Sequence, residues 1–342
     1  MERKLASIQQ VLEVNPIPGA DRIEAVKILG WTVVCLKDRV KPGDMVVYIE
    51  VDSIVPDLPV FEFLRKYKFR VRTINMKHTI SQGLVMTLDE MGLTDNIYEI
   101  GEDLTEKLGI IKYEFPVPLH LSGEILGRRP SFVPKTDEYR LQSYPELLVE
   151  MADKRAYIST KVDGTSSSVY FNPTLEDSFG LCSRNLNLKR DPNNGHWKVA
   201  LKHDLENKMR DMQLSYAFDN GFVIQGELAG PGIQKNRMEL KELELYVFDI
   251  FDIATYTYLD VSDMMTVCRE LGVKTVDITG YGGYDDMTVE QWLAYAEGNY
   301  PGTSNPIEGI VVRTCEAIRT DLLDGHRLGF KVINNKYLLK EK

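Results

Sequence analysis

The sequence lacks the features that mark secreted, membrane-spanning or thiolate-metal proteins. No apolar run approaches the roughly twenty residues that a transmembrane helix needs, and Met1 to Lys4 do not begin the apolar core of a signal peptide. The four cysteines are scattered without a Cys-x-x-Cys pair, so neither a zinc site nor a disulfide framework is indicated, and the five histidines are equally dispersed. These absences predict a reduced, cytoplasmic protein with no membrane partner.

The chain is long enough for two domains. Its 342 residues are 43% hydrophobic and 27% charged, which is the composition of a soluble globular protein. The net charge of -10 argues against a surface coated with nucleic acid but leaves room for a local basic tract. We found no internal repeat and no sign of an assembly, so we expect a monomer.

Residues 1–115 predict a small antiparallel β-barrel. Short apolar stretches alternate with turn signals such as Lys41-Pro-Gly-Asp. The predicted strands cover 8–14, 23–29, 31–36, 45–51, 69–74 and 83–88. The segment from Gln9 to Ile23 resembles the start of the OB modules found in tRNA-binding proteins. We therefore expect an OB-type nucleic-acid-binding domain here.

One basic tract lies within this region. Its cations alternate with aromatic residues, and Glu62 is the only acid close to them in sequence. The candidate nucleic-acid-binding residues are Arg65, Lys66, Lys68, Arg70 and Arg72. Two interpretations stay open: a solvated strand face over core aromatics, or a surface that contacts phosphates and stacks bases.

Residues 116–145 predict a linker and lead-in that is rich in proline and glycine. It ends in hydrogen-bonding side chains from Lys135 to Gln142, which either start a helix capped by Thr136 or belong to a site.

Residues 146–342 predict an α+β domain dominated by antiparallel sheet. The predicted strands cover 157–162, 167–171, 180–183, 222–228, 243–253, 309–314 and 328–332. Helical spacing of apolar residues predicts helices over 197–212, 261–271 and 289–296.

The stretch Lys161-Val-Asp-Gly-Thr predicts covalent chemistry. Asp163-Gly164 is typical of a hairpin turn between strands 157–162 and 167–171, with Lys161 and Asp163 on the same side. A primary amine beside a carboxylate, next to a glycine that lets a ligand approach the backbone, suits covalent catalysis at an electrophilic phosphorus. The motif fixes only three positions, so by itself it leaves an ordinary hairpin turn equally open.

Further segments carry polar residues in apolar surroundings, and each has a structural and a functional interpretation. Glu227 interrupts an apolar strand and needs a partner, because burying an unpaired carboxylate is costly. Glu308 precedes another apolar strand, and either acid would also suit a buried ion pair. Arg184 follows a strand end, Phe248 lies in an aromatic strand where core positions are commoner, and Lys331 is a strand charge.

The joint order of these segments resembles motifs I, Ia, III, IIIa, IV and V of the ATP-dependent ligases and capping enzymes. With the barrel ahead of the transferase domain, and with Thr136-Asp-Glu-Tyr-Arg-Leu-Gln, the chain most resembles family-five RNA ligases. That resemblance implies an ATP-dependent enzyme that seals 3′-OH/5′-phosphate nicks. It also implies Mg²⁺ or Mn²⁺ as cofactor and a nicked duplex with a 3′-OH RNA strand as partner.

The same resemblance implies a role for each motif residue. Lys161 is the nucleophile that becomes lysyl-AMP, Phe248 stacks on adenine, and Lys331 contacts the α-phosphate. Arg140 corresponds to the family arginine that touches ATP phosphates. The residues implied at the nucleotide are Arg140, Asp163, Gly164, Arg184, Glu227, Phe248, Glu308 and Lys331.

The resemblance also implies a metal held through its water shell by three acids, Asp163, Glu227 and Glu308. Hard carboxylates suit Mg²⁺ or Mn²⁺. A free lysine titrates near 10.4, so a neutral amine at neutral pH costs about 4 kcal/mol. We expect the metal, neighbouring cations and burial to reduce that cost.

One departure and two alternatives remain. Ile333 stands where ligases commonly have a second motif V lysine, and Lys336 is the candidate to replace it. A GTP-dependent mRNA capping guanylyltransferase shares the motifs but usually carries its OB module after the last of them. A non-catalytic nucleic-acid-binding protein with a degenerate transferase domain is the other alternative, although Lys161, Asp163 and Glu308 are intact.

Overall fold

A computed structural model of the chain describes residues 3–114, 121, 123–216 and 218–340. The chain divides into two compact units. The first comprises Met1–Pro116, Leu141–Pro145 and Leu338–Lys342, and the second comprises Val117–Arg140 and Glu146–Tyr337. Within the described ranges, no helix combines the length and the apolarity needed to cross a membrane.

The first unit is built from short antiparallel strands. They are β1 (Ala6–Gln10), β2 (Glu13–Pro16), β3 (Ile23–Ile28), β4 (Trp31–Leu36), β5 (Met45–Ile49), β6 (Ser53–Ile54), β7 (Ile74–Met76), β8 (Thr79–Ser81), β9 (Leu84–Thr87) and β10 (Ile111–Lys112). The sheets have the orders β1-β5-β9 and β2-β3-β4, and β7 pairs with β8 and β6 with β10. Buried and partly buried residues alternate along β3 and β4, as a strand with one core face requires.

Two strand predictions in this unit are wrong. The predicted strand over 69–74 does not form: the chain leaves a 3-10 helix, Pro59–Tyr67, through Lys68 and Phe69 at φ 54° and 60°, and β7 begins only at Ile74. Proline at the first position favours the helix start, and the left-handed residues then turn the chain. The predicted strand over 8–14 is two strands, because buried Val11 and exposed Leu12 separate β1 from β2.

The second unit contains the remaining strands and all the α-helices of the described residues. Its strands are β11 (Ile125–Arg128), β12 (Ala156–Lys161), β13 (Thr165–Phe171), β14 (Phe179–Cys182), β15 (Leu186–Leu188), β16 (Phe222–Ala229), β17 (Glu244–Asp252), β18 (Thr257–Tyr258), β19 (Lys274–Thr275), β20 (Ile278–Gly282), β21 (Gly309–Thr314), β22 (Arg319–Thr320), β23 (His326–Arg327) and β24 (Gly329–Ile333). The helices are α1 (Leu147–Met151), α2 (Gly195–Lys202), α3 (Leu205–Ser215), α4 (Val261–Leu271), α5 (Val289–Tyr295) and α6 (Asn335–Lys340), the last of which runs on into the residues assigned to the first unit.

Two sheets form the frame of this unit. The larger has the order β11-β15-β14-β13-β16-β17-β18 with β19 beside β17, and the smaller has the order β20-β12-β21-β24. A large apolar cluster that includes Trp197, Met209 and Val267 covers the larger sheet with residues of α2, α3 and α4. The predicted helix over 197–212 is two helices in the structure, α2 and α3. They separate at Asp204, whose φ of 52° lies in the left-handed region.

The predicted hairpin at Asp163-Gly164 is wrong. β12 pairs with β20 and β21, whereas β13 pairs with β14 and β16, so the two strands lie in different sheets. At the crossing, a side chain at Gly164 would collide with the Leu228 carbonyl and the Glu227 side chain. Glycine therefore permits a close approach of backbones here, and the Lys161 motif lies where the chain passes from one sheet to the other.

Candidate active site

Lys161 is the last residue of β12 and lies beside the acid of the next motif. Its register partner is Gly309, and its Nζ is 2.7 Å from Oε1 of Glu308. Both side chains are mostly buried, with 21% and 18% of their surfaces exposed. The pairing of β12 with β21 thus brings together two motifs that are far apart in sequence.

The surroundings hold Lys161 as an ammonium ion. Burial lowers the pKa of Lys161, but the charges of Glu308, Glu227 and Asp163 raise it, and the net direction is upward. Burial does favour the neutral amine, as expected, but in the protein without ligands the three acids have the larger effect. Lys161 pairs with Glu308 and Arg237 pairs with Asp163, so Glu227 is the acid of the cluster whose ionisation a further cation would favour.

Glu227 is the second acid of this cluster and lies on β16 of the larger sheet. It pairs in register with Ser166 of β13 and Tyr246 of β17. Burial raises the pKa of Glu227 to about 8, while Lys161 and Arg184 pull it downward and Glu308 and Asp163 add to the rise. The predicted need for a charge partner is thus only partly met.

Asp163 is buried and already hydrogen-bonded through both carboxylate oxygens. Arg237 Nη1 lies 2.5 Å from Oδ2, and the Tyr337 hydroxyl donates to Oδ1 at 2.9 Å. The Arg237 guanidinium also lies 4.2 Å from the centre of the Tyr337 ring. Sequence reasoning missed Arg237 and Tyr337, since neither belongs to a motif and only the fold brings them to Asp163.

The Tyr300 hydroxyl binds the backbone on both sides of Val162. Sequence reasoning missed this residue as well. Its hydroxyl donates to the Lys161 carbonyl at 3.0 Å and accepts from the Asp163 amide at 2.9 Å. The Glu308 amide lies 3.4 Å from the same oxygen. One side chain therefore holds the backbone of the Lys161 and Glu308 segments together.

Phe248 lies at a β-bulge beside a polar pocket. Gln225 pairs with Asp249 and Gly226 with Val247, which leaves Phe248 as the extra residue of β17. The pocket lies along the lead-in segment and is lined by Lys135, Thr136, Asp137, Glu138, Tyr139, Gln225, Phe248, Asp249, Tyr258, Arg313, His326 and Arg327. One edge of Phe248 also packs on the apolar cluster of Val162, Ala229 and Val276.

Arg313 supports this pocket from the smaller sheet. It is 3% exposed, lies 2.7 Å from Glu138 and 3.6 Å from Asp249, and donates to the Phe248 carbonyl at 3.2 Å. Arg327 forms a further ion pair with Asp249. The arginine of Glu308-Gly-Ile-Val-Val-Arg was visible in the sequence, but its partners were not.

The remaining predicted residues lie around this cluster. Arg184 pairs with Asp137 of the lead-in segment. Lys331 shares a face of the smaller sheet with Lys161, because Lys331 pairs with Val311, which pairs with Ser159. The backbone of Arg140 forms an isolated parallel β-bridge with that of Lys331. The Lys331 amide donates to the Tyr139 carbonyl at 2.8 Å.

The structure also shows the surroundings of Ile333, which stands where a second motif V lysine is common, and of Lys336. Ile333 pairs with Gly309, directly across β21 from Lys161. Lys336 of α6 forms an ion pair with Glu297 at 2.7 Å. Its ammonium is therefore already engaged by a carboxylate.

The basic tract of the first unit is partly neutralised by ion pairs with neighbouring acids. Arg65 pairs with Asp57 and with Glu62, each at 2.7 Å. Arg70 pairs with Asp52 at 2.7 Å and lies 3.7 Å from the centre of the Tyr113 ring. Lys66 and Lys68, by contrast, are exposed, as are Phe63 at 53% and Tyr67 at 37%.

Two family models match the chain. A model of an OB-fold domain matches residues 5–88, and a model of RNA ligase matches residues 154–333. The first match confirms the predicted OB module, and the second covers the sheets that hold the Lys161 cluster.

Solved structures of an RNA ligase from Naegleria gruberi resemble the whole chain. A variant with AMP and Mn and the protein with pyrophosphate are each 34% identical to it, and a variant with ATP and Mn is 33% identical. Each has a TM-score of 0.87, and each match covers 99% of both chains. The predicted architecture, an OB module followed by an antiparallel transferase domain, is thereby confirmed. Since the RNA ligase model covers more than half of the sequence and the Lys161 cluster lies within it, the chain belongs to the RNA ligase family.

Proposed function

We propose that this RNA ligase uses ATP to seal 3′-OH/5′-phosphate nicks through a lysyl-AMP intermediate on Lys161. Nζ of Lys161 forms a bond to the α-phosphorus as the bond to pyrophosphate breaks. AMP then passes to the 5′-phosphate of the nick, and the 3′-OH displaces AMP to form the phosphodiester. The observation that carries this proposal is the position of Lys161 among three acids where two sheets meet.

The proton on Lys161 must leave before the amine attacks. Nζ already donates toward Oε1 of Glu308 at 2.7 Å, so a path for the proton exists within the site. Because the same acids raise the pKa of Lys161, its attack depends on neutralising their charge. This makes a cation a requirement of the site.

The acids fit a divalent metal bound through water. Among the described residues, no three His, Cys, Asp or Glu side chains lie close enough to hold an ion directly. Glu227 and Glu308 offer hard oxygen donors, and Asp163, whose oxygens already accept from Arg237 and Tyr337, would act on the water shell. When bound, Mg²⁺ or Mn²⁺ would neutralise charge that develops on the α-phosphate. The structures of Naegleria gruberi RNA ligase with ATP or AMP and Mn support this assignment.

The nucleotide would lie between the two sheets. Phe248 provides an aromatic face for the base, and Gly164 leaves room for a close approach beside Glu227. Lys331 and Arg140 are adjacent and would hold the phosphates, with Arg184 as a further cation near Glu227.

The first unit would hold the nucleic acid. Within the basic tract, Lys66 and Lys68 are exposed lysines, and Arg72 belongs to the same tract. Arg65 and Arg70 already pair with acids, so their contribution to phosphate binding is expected to be smaller. We propose a nicked duplex with a 3′-OH RNA strand as the partner of a monomeric, cytoplasmic enzyme.

Transfer of label from the α-phosphate of ATP tests the proposed function. We expect the protein, incubated with labelled ATP and Mg²⁺ or Mn²⁺ and then denatured, to retain label, and the Lys161→Ala variant to retain none. Lys189→Ala is the matched control, because Lys189 is an exposed lysine paired with Glu124 far from the cluster. Retention of label by Lys161→Ala would contradict the nucleophile assignment. Label from GTP alone would indicate the capping reaction, and label from neither nucleotide would leave a binding protein.

A further inference from the structure

Gln225 carries a buried hydrogen-bond acceptor that the proposed reaction does not yet use. It is 1% exposed and lies on β16 two residues before Glu227, so both side chains are on the same face of the sheet. Its Nε2 donates to the carbonyl of Pro134 at 2.7 Å. A carbonyl oxygen can only accept, so this bond fixes which end of the amide is the NH₂ group.

The other end of the amide has a free acceptor. Within the part of the chain that the structure describes, Oε1 of Gln225 has no hydrogen-bond partner. Buried polar atoms in native proteins are nearly always paired, and an acceptor left without a donor costs free energy. Such an atom in a ligand pocket indicates that the ligand supplies the donor.

The position of Gln225 restricts what that donor is. Glu227 and Lys161 mark the reactive end of the site, while Asp249 and Arg313 mark the far end of the pocket beside Phe248. Gln225 lies at the far end, directly opposite Asp249 in the sheet, and Glu227 follows two residues later on the same strand. A base that stacks on Phe248 with its α-phosphate at Lys161 must therefore pass Gln225 with one edge.

We propose that Oε1 of Gln225 accepts a hydrogen bond from the exocyclic 6-amino group of adenine and thereby selects ATP. This inference rests on the proposed function and names the residue that determines its base specificity. Guanine and hypoxanthine carry a carbonyl oxygen at position 6, which would face Oε1 with a second acceptor. A site built to accept from a ligand amine rejects the analogue without it, since its own acceptor then stays unpaired.

Three nucleotides that differ at position 6 of the purine test this assignment. They are ATP with an amino group, purine riboside triphosphate with hydrogen, and inosine triphosphate with a carbonyl oxygen. The measurement is kcat/KM for the protein–nucleotide adduct, followed by intact mass. We expect the wild-type protein to prefer ATP over purine riboside triphosphate by about tenfold, the worth of one hydrogen bond, and to reject inosine triphosphate more strongly.

Gln225→Met keeps the length of the side chain and removes the acceptor. We expect the ratio of kcat/KM for ATP to that for purine riboside triphosphate to fall close to one in this variant. The ratio does not depend on the fraction of active protein, so partial misfolding does not affect it. A Gln225→Met protein that keeps the wild-type ratio overturns the proposal.

Ser166→Ala is the matched control for the second bond of Gln225, which anchors the lead-in segment. The Ser166 hydroxyl lies 2.8 Å from that of Thr136, so it fastens the same segment to the same sheet without presenting an acceptor at the pocket. We expect this variant to change the rates for all three nucleotides alike. A collapse of the ratio in Ser166→Ala equal to that in Gln225→Met would show that anchoring decides specificity, and would overturn the proposal. Absence of any adduct in the wild-type protein would instead overturn the proposed function.

Discussion

At the scale of single residues, the site gathers three acids around one lysine, and one of them, Glu227, ionises only with difficulty. Lys161 faces Glu308 directly and is further influenced by Glu227 and Asp163, and Asp163 forms an ion pair with Arg237. Burial raises the pKa of Glu227 to about 8 because the available cations do not offset its loss of hydration. Such an arrangement is costly for folding, and a bound divalent cation would offset that cost.

The raised pKa of Glu227 predicts that this residue destabilises the folded protein at alkaline pH. A carboxyl group whose folded-state pKa lies above its unfolded value binds more protons in the folded state, so stability falls as the pH rises between the two values. That window runs from the ordinary value of 4.5 to about 8. We expect Glu227→Gln to gain stability relative to wild type by about 2–4 kcal/mol between pH 5 and pH 8.5. Urea unfolding at both pH values measures the change.

The control for this prediction is Glu176→Gln, at an exposed acid on the loop after β13. Its stability difference from wild type should not vary over the same pH interval. A Glu227→Gln difference that is constant with pH would contradict the raised pKa of Glu227. In the labelling assay, we expect Glu227→Gln to form no adduct, even at pH values where it is more stable than wild type. Such a trade of stability for activity is expected of a residue that functions at a site where its burial destabilises the fold.

At the scale of secondary structure elements, the central feature is the separation of β12 from β13. Because the two strands enter different sheets, the backbone between Lys161 and Thr165 has no neighbouring strand to complete its hydrogen bonds. The Tyr300 hydroxyl takes that place, with the Lys161 carbonyl as acceptor and the Asp163 amide as donor. The position of Lys161, the proposed nucleophile, thus depends on a tyrosine that is distant in sequence.

Removal of this hydroxyl by Tyr300→Phe should lower the rate of adduct formation at least tenfold. The ring keeps its buried volume, while three backbone groups lose their contact with the hydroxyl, which should reduce stability by about 1–3 kcal/mol. Single-turnover labelling measures the rate, and urea unfolding measures the stability. Tyr295→Phe, at a tyrosine that is 46% exposed, is the control and should match wild type in both. A Tyr300→Phe protein with a wild-type labelling rate would show that Tyr300 does not position Lys161.

The elements that the sequence predicted well are those whose pattern is local. Alternation and apolar runs located β3, β4, β16, β17 and β21 almost to the residue, and helical spacing located α4. The predicted hairpin failed because an Asp-Gly pair is compatible with a tight turn and with a crossing between sheets, and only long-range pairing decides between them. The motif order predicted Lys161, Glu227 and Glu308 as site residues and the fold brings them together, but Arg237, Tyr300 and Tyr337 carry no local signal. Their roles follow from contacts between residues 74 to 174 positions apart.

At the scale of the whole molecule, the protein carries a net charge of -10 and yet, as an RNA ligase, must bind a polyanion. Salt-sensitive binding then depends on a few exposed cations that lack a nearby acid and not on the overall charge. In the first unit, Arg65 and Arg70 are paired with carboxylates, whereas Lys66 and Lys68 are exposed beside Phe63 and Tyr67. Cations interleaved with exposed aromatics are typical of surfaces that contact phosphates and stack bases.

Replacement of Lys66 and Lys68 by alanine should therefore weaken binding of nicked duplex and leave adduct formation with ATP unchanged. Each lost phosphate contact lowers the slope of log K against log salt by about 0.9 for a B-form duplex, so two contacts should lower it by about 2. Titration of a labelled nicked duplex over a range of salt concentrations measures the slope.

Alanine at Lys37 and Lys41, exposed lysines of the same unit, removes the same charge outside the tract and serves as the control. Equal slopes for the two double variants would assign the effect to net charge. A lower slope for Lys66 and Lys68 alone would locate the nucleic acid on the tract, because only cations in contact with phosphate release counterions when they bind.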